Sequence, residues 1–257
     1  IHTPIEEPEN ASAKHQGRAT LLRMISSLDA AVGAVVDNLM LQPWGENTVI
    51  IFASDNGGSS PKPWLIELLI PPMRDGYSSN GQLKQGKGSV FEGGIRVPAA
   101  IWWPGNMESR KPLEQVAHIA DILPTLTDIA GAGIPAVDGR SIKDALIKNT
   151  QLQQRPIVVA NFDSEAIIDW PWKVVREGSF PITPEFLKSE TWYLYNIESD
   201  PSELDDLKTQ FPEKFEQMRS ALLNTPRRKS VEFSTDQSWD TFGGEETRPP
   251  WAEAAIR

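Results

Sequence analysis

The run Thr48–Ala53, TVIIFA, is almost continuously apolar, and it empties directly into Ser54-Asp55-Asn56-Gly57-Gly58. The run is strand-sized, and its β-branched residues suit extended backbone. Without polar alternation, neither face is left for water. These properties predict a strand buried on both faces, as in a parallel sheet with helices on either side, and hence an α/β fold. In open α/β sheets, ligands bind in loops at the carboxyl ends of strands. The Asp-Asn-Gly-Gly loop is therefore the first place to look for a site.

The rest of the chain fits that start. Leu21, Leu22, Ile25, Leu28, Val32, Val35, Val36 and Leu39 recur at spacings of three and four, which predicts a helix from about Gly17 to Met40. Pro43 and Gly45 stop it. Residues 57–89 have little periodicity and read as a long functional loop. Val97–Trp103 is a second predicted buried strand, closed by Pro104-Gly105. Ala117–Ala130 is helical, with Pro124 near a helix start or kink. From Gln154 short runs predict a small antiparallel sheet: Pro156–Ala160, Trp172–Arg176 and Trp192–Asn196. Phe211–Leu223 reads as one amphipathic helix. The expected division is an α/β portion over 1–135, a small α+β subdomain over 136–224 and an irregular surface tail over 225–257.

Composition narrows the function classes. Thirty-five acidic residues against 25 Lys plus Arg give a formal charge of −10, which argues against a surface-wide polyanion site and so against nucleic acid as partner. The absence of cysteine excludes disulfides, thiolate metal sites and a cysteine nucleophile within these residues. The longest uninterrupted apolar stretches are strand-sized, so no bilayer span is expected. The opening, IHTPIEEPENAS, shows no initiator Met and no signal pattern, and reads as an interior segment.

Three features can carry chemistry. Asp55-Asn56 offers two hard oxygen donors at a strand exit. Lys87 lies in GKGSVFEGG, where flanking glycines let the backbone approach an anion. His2 sits near the turn-forming Pro4. Each has an ordinary alternative: Asp-Asn-Gly-Gly is a common turn, a glycine-flanked lysine is usually solvated, and a lone histidine near a terminus is weaker still.

Together, and in order, they resemble a known family. SLDAAVGAVVDNL, TVIIFASDNGG and NGQLKQGKGSVFEGGIRVPAAIWWPG resemble the carboxyl-terminal half of a type I, formylglycine-dependent sulfatase, with an arylsulfatase B-like texture. HTPIEEPE, DILPTLTDIAG, DGRSI and WYLYNIESDPSELDDL extend the resemblance from residue 2 to about residue 224. It implies an alkaline-phosphatase-like α/β fold and hydrolysis of sulfate esters, with a sulfated carbohydrate as the expected substrate. It also implies a calcium ion, with magnesium possible, and a formylglycine made from a Cys or Ser in Cys/Ser-x-Pro-x-Arg. On the family pattern Asp55 and Asn56 are metal ligands, Lys87 binds sulfate and stabilises charge, and His2 contacts sulfate and protonates the leaving group. Arg74 and Lys84 are candidates for a second anionic group on the substrate. Trp64, Trp102, Trp170 and Trp172 offer rings for stacking or packing, and Glu165 and Asp169 are expected in a loop near a sugar. Glu92 and Arg96 are expected to brace the lysine loop as an ion pair.

The sequence also departs from the family. It holds no Ser-x-Pro-x-Arg to replace the absent cysteine, nor the early strand ending in paired aspartates. Two ligands cannot satisfy calcium, which takes about six to eight oxygens. The expectation is the carboxyl-terminal part of a larger enzyme, partnered by the missing amino-terminal half in the same or a separate chain. Three alternatives remain: a phosphonate or phosphate ester hydrolase of the same superfamily, an inactive fragment that binds sulfated glycans, and a purely structural accessory chain, in which Asp55, Asn56 and Lys87 would occur together by coincidence. An exported location, whether periplasmic, extracellular or lysosomal, follows from the resemblance, and Asn10-Ala11-Ser12 is a formal glycosylation sequon.

Overall fold

A computed structural model of the chain describes residues 13–59, 78–108, 112–113, 115–161, 164–178 and 190–226. It divides into two compact units, Ile1–Leu223 and Asn224–Arg257, and the elements below belong to the first. His2, Arg74, Trp64, the sequon and nearly all of the predicted tail lie outside the described residues.

Helix α1, Ala13–Met40, opens the described fold, starting slightly before the predicted boundary. Much of its apolar stripe meets solvent: Met24, Ile25, Leu28 and Val35 are all more than half exposed. Strand β1, Ile50–Ala53, pairs antiparallel with β2, Ala99–Trp102, in the register Ile50↔Trp102 to Ala53↔Ala99. Both strands stand where the sequence predicts them, but neither is buried on two faces, and Phe52 and Trp102 are exposed. The physical reason is that each strand has one neighbour strand among the described residues. An apolar strand needs cover from layers on both sides to be buried.

Helix α1 also corrects the expectation about membranes. Gly17–Met40, 24 residues, is long and apolar enough to cross a bilayer by length and composition. Uninterrupted runs miss it because Arg23, Ser26, Ser27 and Asp29 break the run, while the average over the helix stays apolar. The core helix of a soluble protein has the same composition, and Asp29 near the middle of this one would be costly in hydrocarbon.

A one-turn helix α2, Glu92–Ile95, joins the lysine loop to β2. A 3-10 turn at Ile119–Asp121 leads into α3, Ile122–Ile129, with Pro124 in its first turn, where its missing N–H costs nothing. Helix α4, Lys143–Lys148, follows and ends on Asn149 in the left-handed conformation. Buried Asp121 holds this region together. It accepts the backbone N–H groups of His118 and Arg140 and pairs with Arg155 at 2.6 Å.

The second part is better packed. Strands β3, Ile157–Ala160, β4, Ser164–Asp169, β5, Trp172–Glu177, and β6, Thr191–Asn196, form an antiparallel sheet in that order. β4 stands where the sequence pattern predicts no strand. Glu165 and Asp169 lie on it rather than in a loop, and Glu165 pairs across to Arg176 at 3.1 Å. Successive side chains point to opposite faces. Ile167, Val174 and Leu194 therefore pack under α5, Pro212–Leu223, through Met218 and Leu222. Ala166, Ile168, Val175 and Tyr195 pack on the other face against Val90 and Phe91. Both faces are covered, which explains why these strands read as apolar pairs rather than strict alternations. The second cover is the loop that carries Lys87.

Candidate active site

Asp55 and Asn56 form the turn at the carboxyl end of β1. The Asn56 N–H donates to Asp55 Oδ1 at 2.9 Å, and the Asn56 amide donates to the Gly57 carbonyl at 2.9 Å. The Ser54 hydroxyl donates to the Asn56 carbonyl at 3.0 Å. With its N–H committed, the Asn56 amide keeps its carbonyl oxygen as donor to a cation.

Backbone bonds tie this turn to the lysine loop. Gly57 N–H donates to the Gly94 carbonyl at 2.9 Å, and Lys87 N–H donates to the Gly58 carbonyl at 3.0 Å. The segment closes on itself through Gly93 N–H to the Lys84 carbonyl, also at 2.9 Å. The approach is too close for side chains. A Cβ on Gly57 would strike the Gly93 carbonyl oxygen, and one on Gly93 would strike the carbonyl oxygens of Gln85 and Lys84. Gly57, Gly93 and Gly94 are therefore required by contact between backbones. Lys87 itself is exposed, beside the buried Gly86.

Two asparagines complete the frame, and sequence reasoning missed both. Asn80 accepts the Gly58 N–H at 2.8 Å and donates to the carbonyls of Gly58, at 3.0 Å, and Gln85, at 2.8 Å, so it clamps the turn to the lysine loop. Asn161, between β3 and β4, donates to the Gly88 carbonyl at 2.8 Å, one residue beyond Lys87. An isolated Asn reads as a turn former, and nothing local marks it as a long-range clamp.

The structure places Lys84 among aromatic rings. Its ammonium donates to Tyr195 Oη at 2.9 Å and to the Glu203 carbonyl at 3.1 Å, and it lies 4.4 Å from the centre of the Phe91 ring. Those contacts serve the packing of the loop on the sheet. Glu92 meets Arg96 at 3.8 Å, as expected, but its close partner is the fully buried Lys173 at 2.8 Å. Lys173 also pairs with Glu203 at 2.8 Å, and Glu203 accepts the Glu92 N–H at 2.7 Å. Burial pushes the Glu203 carboxyl above the ordinary range, against the pull of Lys173. Burial likewise pushes the Tyr195 phenol far up, so it stays protonated beside the Lys84 ammonium. Of the tryptophans, Trp172 packs edge-on against Phe211 at 5.1 Å and Trp170 packs on the core, while Trp102 is exposed on β2.

A hard divalent cation suits the donors present, since a carboxylate and an amide carbonyl are what calcium prefers. The described residues contain no group of three or more His, Cys, Asp or Glu able to hold a metal ion. Asp55 and Asn56 thus fit as part of a ligand set and not as the whole of one.

Comparisons with known proteins identify the family and the fold. The Sulfatase family model matches residues 2–132, and the model for the carboxyl-terminal part of N-sulphoglucosamine sulphohydrolase matches residues 85–229. The chain is 34% identical to the N-acetylgalactosamine-6-sulfatase of Canis lupus familiaris over 136 residues, which is 52% of this chain and 24% of that enzyme. It resembles the crystal structure of Ps i-CgsB in complex with k-i-k-neocarrahexaose at 28% identity and a TM-score of 0.64, covering 86% of this chain and 47% of that one. It shares its fold with the phosphonate monoester hydrolase of Agrobacterium radiobacter at 21% identity and a TM-score of 0.55, covering 80% of this chain and 40% of that one. The chain thus spans less than half the length of each of these proteins.

Proposed function

From the premise that this chain belongs to the sulfatase family and has its alkaline-phosphatase-like fold, we propose that it supplies the metal-binding turn and the sulfate-binding lysine of a sulfuric ester hydrolase. What carries the reading is the joining of two loops: the Gly58 carbonyl, two residues from Asn56, accepts the Lys87 N–H at 3.0 Å. An acidic turn and an exposed lysine held this close suit an anion bound between a cation and an ammonium group.

In this reading, the Lys87 ammonium binds the sulfate and stabilises the negative charge that develops on the bridging oxygen. His2 donates a proton to that oxygen as the sulfur–oxygen bond breaks, so the leaving group departs as an alcohol. Asp55 and Asn56 hold a calcium or magnesium ion, which when bound acts as a Lewis acid toward the sulfate oxygens. A formylglycine on the amino-terminal half of the enzyme would supply the attacking oxygen. The expected substrate is a sulfated carbohydrate, a class supported by the sugar-directed names of the relatives. Arg74 remains a candidate for a second anionic group on it. The portion 1–135 is assigned to the catalytic α/β domain, 136–224 to the small subdomain and 225–257 to a surface tail. The exposed stripe of α1 is read as the packing face for the amino-terminal half of that domain rather than as a bilayer span. An exported compartment fits the reading.

The test is turnover of a sulfate ester and of the matching phosphate monoester by the intact protein as its source makes it. Sulfate turnover that exceeds phosphate turnover and disappears on chelation supports the assignment. Preference for phosphate or phosphonate favours the runner-up, whose fold is shared. Binding of sulfated glycans without turnover points to the inactive alternative.

A further inference from the structure

We propose that Lys173 and Glu203 are positioning residues for the Lys87 loop, forming with Glu92 a buried lock that fixes the backbone on which Lys87 is presented. The sulfatase reading enters this proposal only as the identity of the reaction that Lys87 serves.

The segment Lys84–Glu92 contains Lys87, and Glu203 grips it at both ends. The Glu203 carboxylate accepts the Glu92 N–H at 2.7 Å, and its backbone carbonyl accepts the Lys84 ammonium at 3.1 Å. Lys173 then bridges the two acids, 2.8 Å from Glu92 Oε1 and 2.8 Å from Glu203 Oε1. Lys173 and Glu203 have no solvent exposure, and Glu92 has almost none. Lys173 between the carboxylates and Arg96, 3.8 Å from Glu92 at the rim, set two cations against two carboxylates, and pairing is the condition for burying charge at all. The Lys84 ammonium is further caged at 4.4, 5.3 and 5.0 Å from the ring centres of Phe91, Tyr193 and Tyr195. Glu203 does this with a φ of 54°, a left-handed backbone that L-residues seldom adopt and that persists only where the surroundings over-determine it.

A requirement for stability alone does not account for such a cluster. Replacing a buried ion pair by apolar residues of similar size is often neutral or stabilising, so the pairs are better understood as setting a geometry. Here every side-chain contact of Glu203 described above falls on the lysine loop or on Lys173, which itself holds Glu92. The Asp-Pro-Ser-Glu turn, 111 residues from Glu92 along the chain, is thus tied directly to the site. The Asn161 contact to the Gly88 carbonyl holds the same loop from the β3–β4 connection.

The experiment compares wild type, Lys173→Met and Lys173→Met/Glu203→Gln in the intact protein. It reads backbone amide exchange by mass spectrometry and kcat and KM on a sulfate ester. Lys173→Met removes the cation between the two buried carboxylates and leaves Arg96, 3.8 Å from Glu92, at the rim of the cluster. Exchange over Gly86–Gly94 is then expected to rise at least about tenfold relative to β4, and kcat to fall at least about tenfold with KM within about threefold. The double variant should regain most of both losses, because it removes one uncompensated charge. Loosening spread equally over the sheet, an unchanged kcat with a loosened loop, or a double variant no better than the single would overturn the proposal. Should Lys173→Met fail to fold, Glu203→Gln keeps an acceptor for the Glu92 N–H and should loosen the same segment more mildly; no change there also overturns it. A wild type that turns over no sulfate ester sinks the function reading, while the exchange comparison still decides the lock.

Discussion

The two halves of the described fold solve the burial problem differently. Sheet β3–β6 has both faces covered, and Val174, Val175 and Leu194 have no exposure, whereas α1 leaves Met24, Leu28 and Val35 more than half exposed and β1 and β2 leave Phe52 and Trp102 open. Among the described residues the first region carries apolar residues that no further layer covers, whereas the second completes its core from its own helix and from the lysine loop. The candidate site lies where they meet, with Asp55 and Asn56 at the end of β1 and Lys87 on the cover of the sheet. The Asp55-Asn56 turn at the end of a half-covered strand is thus held in place by a loop anchored on a fully covered sheet.

The contrast predicts unequal costs. Val174→Asp puts a charge in the finished core and should cost at least about 4 kcal/mol, abolishing a cooperative thermal transition. Leu28→Asp on α1 should change the stability of this chain by less than about 1 kcal/mol, since its side chain already meets water. Equal losses in thermal melts of the two variants would mean that α1 is covered in solution. At the seam, Lys87→Ala should lower kcat/KM about a thousandfold while leaving the melting temperature unchanged, because Lys87 is exposed and the role proposed for it is toward the bound anion. Gly93→Ala should do both kinds of damage, about 2–3 kcal/mol of stability together with loss of activity, since its Cβ meets two backbone carbonyls that have no room to move. Retained activity there would show that the two backbones are not packed as described.

The smallest effect expected is with pH. His118 caps the turn before α3 by accepting the Ala120 N–H on Nδ1 at 3.2 Å, which requires a neutral ring. Burial holds its pKa below the ordinary 6.5, against the pull of Asp121. The folded protein therefore binds this proton less readily than the unfolded chain. The stability is full above the ordinary value and is lost as pH falls through it toward the folded one. Melting temperatures measured from pH 7 to pH 5 should decline more steeply for wild type than for His118→Asn, which keeps a capping oxygen without the titration. Parallel declines would remove His118 as the cause.

Much of this is legible in the sequence because it is local. The periodicity of α1, the apolar runs of β1 and β2 and the turn residues around β5 and β6 each act within one segment, and the order of motifs points to the family. What stays hidden depends on distant partners. β4 reads poorly because Ser164, Glu165 and Asp169 dilute its apolar centre, and it becomes a strand by pairing with β3 and β5. Lys173 looks like an outward-facing strand residue until Glu92 and Glu203 are seen beside it. The exposure of β1 cannot be inferred from its composition, which only says that the strand is suited to burial. Lys84 reads as an anion binder from its charge, yet the aromatic rings around it come from β6 and from the loop's own turn.

The most direct test of the central claim is hydrolysis of a sulfate ester by the intact protein, compared between wild type and Lys87→Ala with and without a chelator of divalent cations. The account predicts turnover in wild type, its loss on chelation with recovery on adding calcium, and a residual rate about a thousandfold lower in a folded Lys87→Ala protein. Full activity in that variant, or turnover indifferent to chelation, would contradict it.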